Sequence, residues 1–184
     1  MPARRGTRTT DRGARRGTLA ALALAFALGC GHGSDDLVIG RSVRPEGSAP
    51  IEFKLDSLDE REVSTRSIAG KPTVIAFITT WDLSSQAQID YIVPMAKRDG
   101  EQVNYVMVAL QEPTERELVE VFAHHLGIVF PVALADPELI LGGGPFGALK
   151  AVPTTVILDR SARMVWRHTG IARPDEIRQG LSGL

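Results

Sequence analysis

The chain has 184 residues, 43% of them hydrophobic and 23% charged, with one cysteine and a formal net charge of −1. That length suits one domain with enough buried surface to need no disulfide or metal staple. A single cysteine excludes a disulfide framework, a cysteine-based zinc finger and an intrachain dithiol, and the charge balance excludes a protein that coats nucleic acid.

The charge is unevenly placed. Residues 1–29 hold six arginines against the single acid Asp11, so this leader is net positive by five and the rest net negative by six. The Arg-rich start runs into the apolar stretch Leu19–Leu28 and then Gly29-Cys30. About ten apolar residues fall short of the roughly 20 that span a bilayer. A basic segment before a short apolar one is the build of a bacterial secretory signal. Ala27-Leu28-Gly29-Cys30 resembles the lipoprotein processing box, with Ala27 where that box usually has Leu. The expected organisation is a signal peptide over 1–30 ending in a lipidated Cys30, a flexible tether over 31–50, and a folded domain over 51–184. The expected location is the exported cell envelope, with the protein anchored in a membrane through Cys30 and facing the periplasm or the exterior.

Beyond the tether the pattern alternates between strands and helices. Ile51, Phe53 and Leu55 recur with period two, the sign of a strand with one buried face. Residues 73–79 and 103–110 are continuous apolar, β-branched runs, as expected of central strands buried on both faces. Between them, Ser85-x-x-Gln88 has capping-box spacing ahead of Ile89, Ile92, Val93 and Ala96 on one helix face. Pro94 is expected to bend that helix or end it early. Pro113-Thr114-x-x-Glu117 predicts another helix start, with Leu118, Val121, Phe122 and Leu126 at helical spacing and Gly127 as its stop. Residues 130–135 form a further short strand, and residues 154–158 and 164–168 form a hairpin around the turn 159–162. A last helix starts at Pro174. This order describes an α/β sandwich with a mixed sheet.

Two stretches carry a resemblance. Phe77-Ile-Thr-Thr-Trp81 stands at a strand end entering a helix, and Val152-Pro153-Thr154 precedes the hairpin some 70 residues later. Together with Gly70-Lys71-Pro72, Gly127-Ile128-x-x-Pro131 and Leu158-Asp159-Arg160, they resemble the redoxin-type, extracytoplasmic thiol-disulfide reductases (TlpA/ResA-like) over about residues 51–181. The resemblance implies a thioredoxin-like three-layer sandwich with a central mixed β-sheet. It also implies a cis-proline at Pro153 beside a groove that pairs with extended polypeptide.

The pattern departs at the chemistry itself. Where that family has Cys-x-x-Cys after the tryptophan, this chain has Asp82-Leu83-Ser84-Ser85. Disulfide exchange needs one thiolate to attack and a second thiol to resolve the mixed disulfide, which a carboxylate and a hydroxyl cannot do. No catalytic residue is therefore expected. Asp82 and Ser85 read as helix caps, since a helix N-terminus favours negative charge. That same field opposes an acid–base role for Asp82. A peptide-binding groove is expected at Trp81, Asp82, Ser85, Val152, Pro153 and Thr154, holding a protein or peptide partner through strand addition. The alternative is a member of the thiol-disulfide oxidoreductase pathway, of the cytochrome-maturation type, acting with a partner's cysteines.

Other features point to no chemistry. Gly142-Gly-Gly144-Pro-Phe-Gly147 has the form G-x-G-x-x-G, but Pro145 stands where a nucleotide-binding helix should open, so a flexible insertion is expected. His124 and His125 point about 100° apart on a helix, and His125 and His168 are expected on solvated faces. No cofactor, metal or nucleic-acid partner is expected.

Overall fold

A computed structural model describes residues 40–184. The signal peptide, Cys30 and most of the first half of the tether lie outside them. Among the described residues there are eight strands and four α-helices: β1 (Arg41–Val43), β2 (Lys54–Ser57), β3 (Val63–Ser64), β4 (Thr73–Ile78), α1 (Leu83–Asp99), β5 (Asn104–Ala109), α2 (Arg116–His125), β6 (Val132–Leu134), α3 (Pro137–Ile140), β7 (Thr154–Leu158), β8 (Met164–Thr169) and α4 (Pro174–Leu181). They form one mixed sheet in the order β1-β8-β7-β4-β5-β6-β2-β3. β4, β5 and β6 run parallel, and β7 is antiparallel to β4. The apolar runs 73–78 and 104–109 become these central strands because each residue needs cover on both faces.

Alternate residues of the sheet feed two separate cores. Val74, Ala76, Ile78, Met107 and Ile157 pack with Ile89, Ile92 and Val93 of α1, Val119 of α2 and Ile177 of α4. Ile75, Phe77, Val106, Val108 and Val156 pack under a thinner cover of Ile51, Ile68, Leu139, Phe146 and Leu149. The result is the expected α/β sandwich, helices over one face and α3 with long loops over the other.

Three expectations about the elements need correction. The first helix begins at Leu83 and continues through Pro94 to Asp99. Pro94 is exposed, while Ile92, Val93 and Met95 around it are buried. Burying three such side chains, at about 1.5–3 kcal/mol each, outweighs the roughly 3 kcal/mol cost of an interior proline. In α2 the buried face is Val119 with Phe122, Ala123 and Leu126, and Leu118 and Val121 point to solvent. The sequence stripe merged two faces because Pro113–Glu115 forms a separate 3-10 turn, so the α-helix starts only at Arg116. Finally, Arg41–Val43, inside the stretch expected to be tether, pairs antiparallel with β8.

α4 lies so close to the sheet that a Cβ on buried Gly180 would stand 2.4 Å from Ile157 Cδ1 and 3.1 Å from the Trp166 ring. An exposed helical glycine gains about 0.5–1 kcal/mol on replacement by alanine. Here the sign reverses: Gly180→Ala is expected to lose about 1–3 kcal/mol to overpacking. Urea unfolding would show it, and a stabilised variant would mean that α4 can ride off the sheet.

Candidate functional site

The site grows from the C-terminal end of β4. Asp82 is the N-cap of α1, and its Oδ2 accepts the Ser85 N–H at 2.7 Å. Ser85 is fully buried in the first turn, and its Oγ accepts the Thr79 N–H at 3.3 Å. The helix start expected at Ser85 therefore lies three residues earlier, with Asp82 as its N-cap and no capping box at Ser85-x-x-Gln88. Both polar groups at the two expected cysteine positions are occupied in holding the loop. Asp82 satisfies one orphan donor of the helix end and complements its dipole.

Two glutamines that the sequence reading passed over fix the rest. Gln111, buried just after β5, accepts the Thr80 N–H at 2.8 Å. Gln88 is fully buried and grips one backbone residue at both ends: Nε2 donates to the Ala172 carbonyl at 3.1 Å, and Oε1 accepts the Ala172 N–H at 2.6 Å. The only sequence signal for either was a polar residue at a position whose neighbours predict burial. With the loop pinned in this way, Trp81 is 64% exposed and Leu83 78% exposed. Leaving an indole and an isobutyl group in water costs free energy that a partner can recover.

The second half of the candidate site comes from β7. The Phe77–Thr154 pairing ends the β4–β7 ladder and sets Pro153 beside the strand end from which the Trp81 loop leaves. The Val152–Pro153 peptide bond is cis. Val152 is half-buried, whereas Pro153 and Thr154 are buried, and the Thr154 hydroxyl donates to the Ala151 carbonyl at 2.7 Å. The Pro153 carbonyl accepts the Gly170 N–H at 2.8 Å, which joins the 170–173 turn to the same end. Topology thus gathers Trp81, Asp82, Ser85, Val152, Pro153 and Thr154 at one pole, with Ile171, 39% exposed, at its rim.

What this pole can do follows from what is free. It offers an indole, aliphatic side chains and backbone, but no thiol, and the Ser85 and Thr154 hydroxyls are both hydrogen-bonded to the backbone. The described residues contain no group of three His, Cys, Asp or Glu side chains placed to hold a metal ion. A half-open cavity of about 410 Å³ lies at the opposite pole, lined by Lys71, Asn104 and Tyr105 at the strand starts. Tyr105 donates its phenol proton to Asp99, and burial with that carboxylate pushes the phenol pKa well above its ordinary value. Nothing there faces the Trp81 loop.

The remaining sequence candidates separate. His124 and His125 are exposed at the end of α2. His168, expected on a solvated face, is 1% exposed. It lies on the face of β8 that carries the core residue Trp166, and β1 turns β8 from an edge into an interior strand and closes the edge beside it. The glycine segment is likewise no free insertion, because Phe146 is buried and the Arg167 guanidinium donates to its carbonyl at 2.9 Å.

The chain is 27% identical over 141 residues to the thiol-disulfide oxidoreductase ResA of Geobacillus thermodenitrificans, covering 75% of this chain and 77% of that one. A solved DsbF homologue from Corynebacterium diphtheriae superposes with a TM-score of 0.68 at 18% identity, covering 78% of this chain and 92% of its own. A thiol:disulfide interchange protein of the thioredoxin family from Chlorobium tepidum gives a TM-score of 0.63 at 23% identity, covering 76% and 95%. No family profile matches the chain.

Proposed function

We propose that this chain, which has the thioredoxin-like fold of the redoxin-type thiol-disulfide reductases, is a redox-silent member that holds a protein or peptide partner in the former active-site groove. The observation behind this reading is the pairing of an exposed Trp81 with a bonded, thiol-free Asp82–Ser85 turn. The cis Val152–Pro153 bond at the same end of the sheet supports this reading, as does a loop that displays an indole where a dithiol would stand. Aromatic side chains of this kind anchor interfaces because they bury a large area with few torsions to freeze.

A cysteine-blocked unfolded polypeptide is the appropriate probe, since it offers extended chain without redox chemistry. The native protein is expected to bind it, and Trp81→Ala to weaken binding about tenfold or more. Unchanged affinity in that variant, measured by fluorescence anisotropy of the labelled probe, would place binding elsewhere. The similarity to ResA favours a second reading, action in a thiol-disulfide pathway through a partner's cysteines. Binding that requires the probe's free cysteines would select it.

The basic leader and Ala27-Leu28-Gly29-Cys30 support export and lipid anchoring of this domain to a membrane. Mass spectrometry of the protein from a bacterial host should find a lipid-modified mature N-terminus at Cys30. An unmodified Cys30 inside an intact leader would remove the anchor from this proposal.

A further inference from the structure

One buried side chain links the N-terminal edge of the domain to its core. His168 on β8 is 1% exposed, its ring stacked on Trp166 with centroids 5.6 Å apart and planes 18° apart. Its Nδ1 is 3.0 Å from the hydroxyl of Ser42, directly opposite on β1. On the other side stands Thr155 of β7, also fully buried. Thr155 Oγ1 has no hydrogen-bond partner, and the polar groups that the His168 ring meets are the Ser42 hydroxyl and the Ile171 carbonyl. A neutral imidazole suits this setting, whereas an imidazolium would bury a charge among Trp166, Thr155 and backbone.

β1 itself is a weak element. All three of its residues are exposed, so it adds little apolar burial. It is held by the ladder to β8, by the Gly40 N–H on the Thr169 carbonyl at 2.6 Å, by Arg44 on the Gln179 carbonyl at 2.8 Å, and by the Ser42–His168 bond. Removing β1 would open the β8 edge and bring His168 to water.

We propose that β1 is a strap which neutral His168 locks onto the sheet edge, and that a proton on His168 releases it. The released strap would leave the β8 edge free to pair with another strand and would free the chain ahead of Arg41 from the domain. Burial holds the His168 pKa below its ordinary value, while the Glu176 carboxylate of α4 and the Ile171 carbonyl act against that shift. The charged groups nearby on the other elements are Arg44, just past β1, which donates to the Gln179 carbonyl of α4, and Arg167 of β8, which donates to the Phe146 carbonyl of the opposite core. β7 contributes the uncharged Thr155, and α1 reaches the 171–173 turn through the uncharged Gln88.

The sign follows from linkage. Above about pH 6.5, the ordinary histidine value, docked and released forms are both neutral and docking has its full strength. Below it the released form takes up the proton while the docked form does not, so docking weakens as pH falls, by at most about tenfold per pH unit for one proton.

Amide hydrogen exchange on the full chain tests this, with protection factors compared between pH 7.5 and 5.5. The Gly40 and β1 amides are expected to lose protection by up to about tenfold per unit below 6.5, while β4 and β5 amides keep theirs. In His168→Gln the pH dependence of β1 should vanish; Ser42→Ala, a surface change that the core tolerates, should lower β1 protection at pH 7.5. Protection of β1 that does not change with pH overturns the proposal. So does an equal slope in His168→Gln, or a loss of β4 and β5 protection in step with β1, which would make the proton a threat to the whole sheet rather than to the strap.

Discussion

Replacing Asp82 and Ser85 together by cysteine is expected to create disulfide reductase activity, with none expected of the native chain. Two features of the turn support this expectation. Position 82 caps α1, where the helix field lowers a thiol pKa, and position 85 is one turn on, buried against the Thr79 backbone. Lowering a thiol pKa from about 8.5 to about 7 raises its thiolate fraction at neutral pH from a few per cent to about half. The buried second thiol then resolves the mixed disulfide. Reduction of a protein disulfide, followed with dithiothreitol as electron donor, should be indistinguishable from background in the native chain and clear in the double variant. Cys30 is common to both and so cannot account for the difference. A folded double variant without activity would mean that the groove around Pro153 has been rebuilt, and the protein-substrate reading would go with it.

The second large effect concerns a residue that the sequence hid inside a glycine-rich stretch. Phe146 is 1% exposed, with its ring centroid 5.0 Å from those of both Phe53 and Phe77. It plugs the thinner face of the sheet, where no long helix lies. Phe146→Ala should lose about 3–5 kcal/mol, the transfer term of the ring plus the cavity it leaves. For a domain of this size that corresponds to a Tm lower by about 10 °C. Phe146→Leu should recover most of it, because volume is nearly kept. A loss below about 1 kcal/mol would show that the 141–149 segment packs on the core without supporting it.

Phe146 and His168 show where the sequence stopped being legible. In both cases the local signal was correct in kind: a loop rich in glycine, and a polar residue on an alternating strand. What the local signal lacked was the neighbour. Phe146 is buried because Phe53 and Phe77, 93 and 69 residues away, leave a space its ring fills. His168 is buried on the core face beside Trp166, and a three-residue strand with no apolar pattern of its own closes the edge of β8 next to it. Short edge strands gain their order from ladder hydrogen bonds, and those leave no periodicity to read.

The groove divides along the same line. Trp81, the Asp82–Ser85 substitution of the dithiol and the Val152-Pro153-Thr154 segment were all readable, because each is a local motif at a strand end. The central strands β4 and β5 were also readable from their continuous apolar runs, which suit a doubly covered sheet. Tertiary structure alone supplied Gln88 and Gln111, whose amides hold the Trp81 loop and the 170–173 turn through backbone partners 84 and 31 residues away. By itself the sequence determined the fold and the missing sulfurs, since both are written in residue type and short-range period. Which polar groups were free to meet a partner was decided only by packing, because a hydrogen bond across the fold depends on distances that no local pattern encodes.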